Sequence, residues 1–232
     1  MNDESIFPFP VMDIKQAIRF IQANAAKYNL DPFRLITFGR SAGGYFSLMG
    51  ALNRNNPYFD NEEDPNIGVT SNIKGAVALY PVTDFTTLEY ELKINSLIKR
   101  FIKMDEDTSE LHVEAFPPSE ADSFPYHNRE DGNGSIFLGS SLPKSARTLK
   151  QANPISHINP TSPPILLQHG SGDEILPMQQ SINFALEANE ICNEERVVCG
   201  ILPGAIHGSV RFYSEENLNR IFKSIEQIMS IV

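Results

Sequence analysis

Apolar positions follow two periods in turn along the chain, and that alternation predicts the fold. Ile14, Ala17, Ile18, Ile21 and Ala25 recur at helical spacing, so an amphipathic helix is expected over 11–28. Pro10 suits its first turn, and Asn29 and Pro32 end it. Four short apolar runs, 35–38 (LITF), 75–80 (GAVALY), 164–168 (PILLQ) and 196–202 (RVVCGIL), read as strands buried on both faces. Helices are expected between and after them. One runs over 45–52, and one opened by Pro177 has Ile182, Ala185 and Leu186 on one face. A last helix is capped by Ser214, carries Glu215 and Glu216 in its first turn, and buries Leu218, Ile221, Phe222, Ile225, Ile228 and Met229. Strands alternating with amphipathic helices mean an α/β fold, a mostly parallel sheet flanked by helices, with its site at the carboxyl ends of the strands.

Two stretches break the rhythm. The polar run 53–72 reads as a surface loop. Residues 93–150 begin with an apolar and basic segment (Ile94, Leu97, Ile98, Phe101, Ile102) and continue rich in acid, Pro, Ser and Gly. This insertion falls between the second and third strands. It is either a surface excursion or a cap whose aromatics, Phe116, Phe124, Tyr126 and Phe137, shape a substrate pocket.

Length and composition narrow the function. A chain of 232 residues, 41% hydrophobic and 21% charged, fits a single globular domain over 1–232. A net charge of −10 without a Lys/Arg cluster argues against a nucleic-acid partner. No apolar run reaches the ~20 residues of a membrane span, so no membrane partner is expected. Residues 1–10 lack the basic start of a signal peptide, which makes a cytoplasmic location the default expectation. Two cysteines make no disulfide framework, and Cys199, in a strand, reads as a small buried hydrophobe.

The chemistry sits where the first strand ends. In Leu35-Ile36-Thr37-Phe38-Gly39-Arg40-Ser41-Ala42-Gly43-Gly44 a Gly-x-Ser-x-Gly lies between a strand and a helix, the setting of a nucleophile elbow. Ser41 takes the apex in a strained conformation, and a Cβ at Gly39 or Gly43 is expected to collide as strand and helix pack. The Ala42 N–H, at the helix start, is free to bind developing negative charge. A serine needs a base. Of the five histidines, His112 and His127 lie in the insertion and His157 in a loop. His169 ends the third strand and is expected to support its loop. His207, in PGAIHG after the fourth strand, can swing over the elbow and is the expected base. The base needs a carboxylate. Asp173, in HGSGDEILP, is favoured; Asp84, in YPVTD, is its rival, and each has a capping role available. Glu174 is expected to point away.

On GRSAGG, YPVTD, PPILLQHGSGDEILP, PGAIHG and the lead-in NLDPFRL, the chain resembles the α/β-hydrolase superfamily, within it the esterase/lipase group that includes acetyl-xylan and feruloyl esterases. The resemblance implies cleavage of carboxylic esters, small or carbohydrate-linked, through an acyl-serine, without cofactor or metal. It makes Ser41 the nucleophile, His207 the base, Asp173 the orienting acid and Ala42 an oxyanion donor, in the order Ser…Asp…His. Two other readings stand beside it: a prolyl-oligopeptidase-like serine peptidase, and a non-catalytic remnant or binding module.

The sequence departs from that family at its start. Strands and a His-Gly-Gly oxyanion motif are expected ahead of the first helix, and neither precedes Ser41 here. The expectation is a partial, N-terminally incomplete α/β-hydrolase fold. Its first strand would lie at a sheet edge and favour a homo-oligomer, and the isolated chain would have weak or no esterase activity.

Overall fold

The computed structural model describes residues 6–101, 127, 129–140 and 146–231. Strands β1 (Ile36–Arg40), β2 (Gly75–Leu79), β3 (Ile165–Gly170) and β4 (Val197–Leu202) form one parallel sheet in the order β1-β2-β3-β4. Register sets Arg40 beside Leu79, Leu79 beside Gln168 and Gln168 beside Gly200. The last two strands therefore overrun the first two by a pair of residues. Their outgoing loops start higher, over the end of β1. β3 continues through His169 to Gly170, two residues past the expected end, and Tyr80 lies beyond the end of β2.

Helices α1 (Phe9–Ala23), α2 (Ala42–Leu52) and α6 (Gln179–Cys192) cover one face of the sheet. There Ala76, Ala78, Ile165 and Leu167 pack against Ile18, Leu48, Ala51, Phe184 and Ala188. Helix α7 (Glu215–Ser230) covers the other, with Val77, Leu79 and Leu166 against Phe212 and Ile221. Ser214 caps α7 by accepting from the Asn217 N–H at 3.3 Å, as its sequence signature requires. A third core gathers Phe7, Tyr45, Phe59, Phe85, Leu88 and Leu176, with Phe137 against it. This core holds the described part of the insertion. α3 (Leu88–Phe101), α4 (Asn133–Leu138) and α5 (Ala146–Ala152) belong to that stretch.

Helix α1 departs from its pattern in length and in orientation. It ends at Ala23, and a 3₁₀ turn follows over Ala26–Tyr28. Ile18 and Ala25 face inward, but Ala17, Phe20 and Ile21 are exposed, while Lys15 and Arg19 are buried. The cause is the segment read as a surface loop. Lys15 Nζ, fully buried, donates to the Asn56 carbonyl at 2.8 Å and to Asp60 Oδ1 at 2.6 Å. Arg19 donates to Asp60 at 2.7 Å, to buried Asp64 at 3.4 Å and to the Val69 carbonyl at 3.2 Å. Two carboxylates thus turn the cationic side of the helix inward and tie residues 56–69 to it. Burial pushes the Lys15 ammonium below its ordinary value, and the bond to Asp60 opposes this. Removing one partner of a buried pair strands the other charge, at about 3–5 kcal/mol. Arg19→Met is therefore expected to lower stability by about that much, read as a lower denaturant midpoint.

Two other helices show smaller departures, and β1 lies where the sequence places it. On α6, Phe184 and Ala188 are buried and Leu186 is exposed; on α7, Phe222 is exposed. β1 lies at one end of the strand order, with Phe38 half exposed and Phe33 79% exposed beside it.

Candidate active site

Three loops meet above the carboxyl ends of β1, β3 and β4. The first is the β1–α2 turn. Ser41 has φ 50° and ψ −124°, a left-handed backbone that a side chain adopts only under constraint. The constraint is close packing. The Ser41 N–H donates to the Leu79 carbonyl at 2.9 Å, and a Cβ built on Gly39 would lie 2.1 Å from the Gly43 carbonyl oxygen. Gly43 itself corrects the sequence reading, since a Cβ there meets nothing within 4 Å. Gly44 is the other tight position, 3.1 Å from the Leu79 carbonyl oxygen.

The second and third loops lean on each other. Gly172 N–H donates to the Ala205 carbonyl at 3.0 Å, and a Cβ on Gly170 would lie 2.0 Å from that same oxygen. Bare backbone at Gly170 lets the loop from β4 cross the loop from β3. The crossing brings His207 to Asp173. His207 Nδ1 donates to Asp173 Oδ2 at 2.7 Å, and its Nε2 lies 3.0 Å from Ser41 Oγ, whose hydroxyl points at it as donor. With Nδ1–H held by the carboxylate, Nε2 is the nitrogen left to accept from the Ser41 hydroxyl, the arrangement a general base needs. Ala42 is exposed and is the first residue of α2, so its N–H has no acceptor inside the helix.

Asp173 is fully engaged. Oδ1 accepts from the N–H groups of Ile175 and Leu176, both at 2.9 Å. Oδ2, besides His207, lies 3.4 Å from His169 Nε2. His169 is buried; its Nε2–H donates to the Leu176 carbonyl at 2.8 Å and its Nδ1 accepts from the Ser181 hydroxyl at 2.7 Å. It supports the loop, as the sequence indicates, and also touches the carboxylate, which the sequence does not reveal. Burial raises the Asp173 carboxyl, but the hydrogen bonds from His169 and His207 outweigh it and hold the group below its ordinary value. A carboxyl lowered by folding contributes stability above its unfolded pKa of about 3.9, lost as pH falls through the lower folded value. Asp173→Asn is expected to lose less stability than the native chain as pH falls below about 4, read by circular dichroism during acid titration.

The other candidates are accounted for. Asp84 Oδ1 accepts from the Thr86 N–H at 2.8 Å and from Asn153 Nδ2 at 2.6 Å, which closes a turn ahead of α3 rather than capping a helix, since α3 starts at Leu88. Glu174 is exposed. His127 Nε2 donates to the Ile175 carbonyl at 3.2 Å and His157 Nε2 to that of Gln151 at 2.7 Å. Phe137 lies in the aromatic core, its ring 5.4 Å from that of Tyr45. His112, Phe116, Phe124 and Tyr126 lie outside the described residues. Cys199 packs against the core, and burial pushes its thiol up to about 11. Among the described residues no group of three His, Cys, Asp or Glu could hold a metal ion, and no helix is long and apolar enough to cross a membrane.

The model of the BD-FAE family matches residues 1–187. The chain belongs to the BD-FAE family. The match covers the elbow, Tyr80–Asp84 and the Asp173 loop, and His207 lies beyond it. This BD-FAE chain is 25% identical over 202 residues to esterase LipC of Mycobacterium tuberculosis, an alignment covering 87% of the chain and 41% of LipC. It spans about two fifths of the length of the curated relatives it matches along most of its own length. Among solved structures, a truncated carbohydrate esterase from gut microbiota superposes with a TM-score of 0.74 at 17% identity, covering 98% of this chain and 71% of that one. A bifunctional GH43-CE protein of Bacteroides eggerthii superposes at 0.72 with 23% identity, covering 97% and 26%. At those identities the likeness is one of fold. It agrees with the parallel sheet and flanking helices, the α/β class read from the alternation.

Proposed function

We propose that this chain hydrolyses carboxylic esters through an acyl-serine on Ser41. The observation that carries the reading is the unbroken line from the Ser41 hydroxyl through His207 to Asp173, with links of 3.0 and 2.7 Å. Ser41 Oγ attacks the ester carbonyl carbon as its proton passes to His207 Nε2. Asp173 stabilises the imidazolium, and the Ala42 N–H, at the positive end of α2, donates to the oxyanion. When the C–O bond breaks, His207 returns the proton to the leaving alcohol. Water, deprotonated by the same imidazole, then releases the acid and frees Ser41.

The substrate class is a small or carbohydrate-linked acyl ester. The name of one structural neighbour, the truncated carbohydrate esterase from gut microbiota, supports the second. Leu138 and Leu149, buried in the third core with Phe137 against it, support reading 93–150 as a cap or insertion of the single domain. The half-exposed edge at β1, with Phe33 and Phe38 uncovered, supports self-association there. Hydrolysis of p-nitrophenyl acetate and of acetylated xylo-oligosaccharide, set against a prolyl p-nitroanilide, tests the activity. Ester cleavage without amide cleavage is expected, and preferential cleavage of the amide would overturn it in favour of a peptidase.

A further inference from the structure

The residue after β2 is held in a conformation its side chain resists. Tyr80 has φ 41° and precedes Pro81. Bulky residues almost never adopt a positive φ, and a following proline favours extended backbone instead. Such strain persists only where the surroundings impose it, and it clusters at functional sites. Here the strand ends impose it, since the Tyr80 N–H donates to the Gln168 carbonyl at 2.6 Å while the Leu79 carbonyl accepts from Ser41.

The strained backbone places the ring against the candidate base. Tyr80 is 1% exposed; its ring centroid lies 4.7 Å from the His207 imidazole at 67° between planes, and 4.7 Å from Phe212 behind it. Its hydroxyl is 2.9 Å from that of Tyr213. The Tyr213 oxygen in turn accepts from Arg40 Nη1 at 3.4 Å, and Arg40 is the residue before Ser41. Packing and hydrogen bonds thus run from the elbow around to the imidazole without passing through Ser41 or Asp173.

We propose that Tyr80 is a positioning residue for His207, its ring fixing the tilt of the imidazole. The hydrogen bonds to Asp173 and Ser41 lie in the imidazole plane and resist sliding within it. Tilting out of that plane is opposed by what packs against the ring, and Tyr80 packs against it in a T-shaped contact. The Phe212 ring and the Tyr213 hydroxyl hold Tyr80 itself in place. Burial, then the bond to Tyr213, push the Tyr80 phenol up to about 12, so it stays neutral beside the imidazole at ordinary pH.

The inference rests on the acyl-serine reading, which is checked first: a fluorophosphonate must label the native chain at Ser41, and labelling must disappear in His207→Ala. Failure at that stage sinks the esterase reading rather than the role of Tyr80. The second-order labelling rate is then compared in Tyr80→Phe, Tyr80→Leu and Tyr80→Met. The low-field proton resonance of the His207–Asp173 hydrogen bond is recorded in parallel, and folding is checked by circular dichroism. Tyr80→Phe keeps the ring and is expected to label within threefold of the native rate with the resonance retained. Tyr80→Leu and Tyr80→Met, where folded, are expected to lose tenfold or more, with the resonance broadened or lost. Ester turnover should show the same loss in kcat with KM unchanged. A folded Leu or Met variant that labels within threefold and keeps the resonance overturns the proposal. If neither folds, Tyr80→Phe decides: a loss beyond threefold overturns it, and native behaviour sustains it.

Discussion

In a complete enzyme built on this chain, turning over esters at ordinary rates, Ser41→Ala and His207→Ala are each expected to lower turnover by on the order of 10⁴–10⁶, with little change in melting temperature. The two act as one unit. Without the hydroxyl there is no acyl carrier, and without the imidazole the hydroxyl keeps its proton. The double variant is therefore expected to be no worse than either single one, since the second removal deletes a group already idle. Asp173→Asn keeps the shape but supplies a side-chain N–H or amide oxygen where Oδ2 now accepts from His207. It is expected to cost about 10⁴, through the wrong tautomer rather than lost contact. Steady-state turnover of p-nitrophenyl acetate, with calorimetric melting of each variant, checks all of these. Additive losses, or a large loss confined to variants that also melt early, would speak against a relay.

Gly39→Ala and Gly43→Ala, four residues apart in one motif, are expected to differ sharply. The methyl at Gly39 would enter the Gly43 carbonyl at 2.1 Å and lie 2.8 Å from the Ser47 hydroxyl. Backbone cannot yield as a flexible side chain can, so the β1–α2 turn must open. A cost near about 3 kcal/mol, the upper end for an overpacked position, is expected, together with loss of the Ser41–His207 contact. The methyl at Gly43 meets open space and is expected to leave stability within about 0.5 kcal/mol. Denaturant melts of the two variants side by side measure the difference, and equal effects would mean that the turn is not as tight as drawn.

The contrast at Gly39 and Gly43 shows what sequence reading can reach. The motif marks both glycines alike, because spacing carries no information on which one faces the neighbouring backbone. Much of the fold was legible for a different reason. β-branched and aliphatic runs bounded by Pro and Gly fix where strands lie, and a parallel sheet brings their carboxyl ends together whatever the details. That alone places Ser41, Asp173 and His207 on one rim. The choice between Asp173 and Asp84 was harder, since both follow strand ends and both can cap. What separates them in space is Asn153, some seventy residues from Asp84 in sequence, whose amide engages that carboxylate. Helix α1 was misjudged by the same kind of distance. Its apolar stripe implied an inward face at Ala17 and Ile21, while Asp60 and Asp64, contributed by a loop over forty residues on, draw Lys15 and Arg19 inward instead. The motif YPVTD marks the position of Tyr80 but not the role proposed for it. Its importance depends on a dihedral angle and on rings from after β4, neither of which a run of residues such as GAVALYP encodes.

The central claim is that one hydroxyl in this chain, that of Ser41, is made nucleophilic by its neighbours. Peptide mapping by mass spectrometry after brief exposure to a fluorophosphonate reads this directly. The account predicts a single adduct, on the peptide bearing Ser41, absent when His207 is replaced by alanine. Modification of several serines at similar rates, or an adduct on Ser41 that forms as readily without the imidazole, would contradict it.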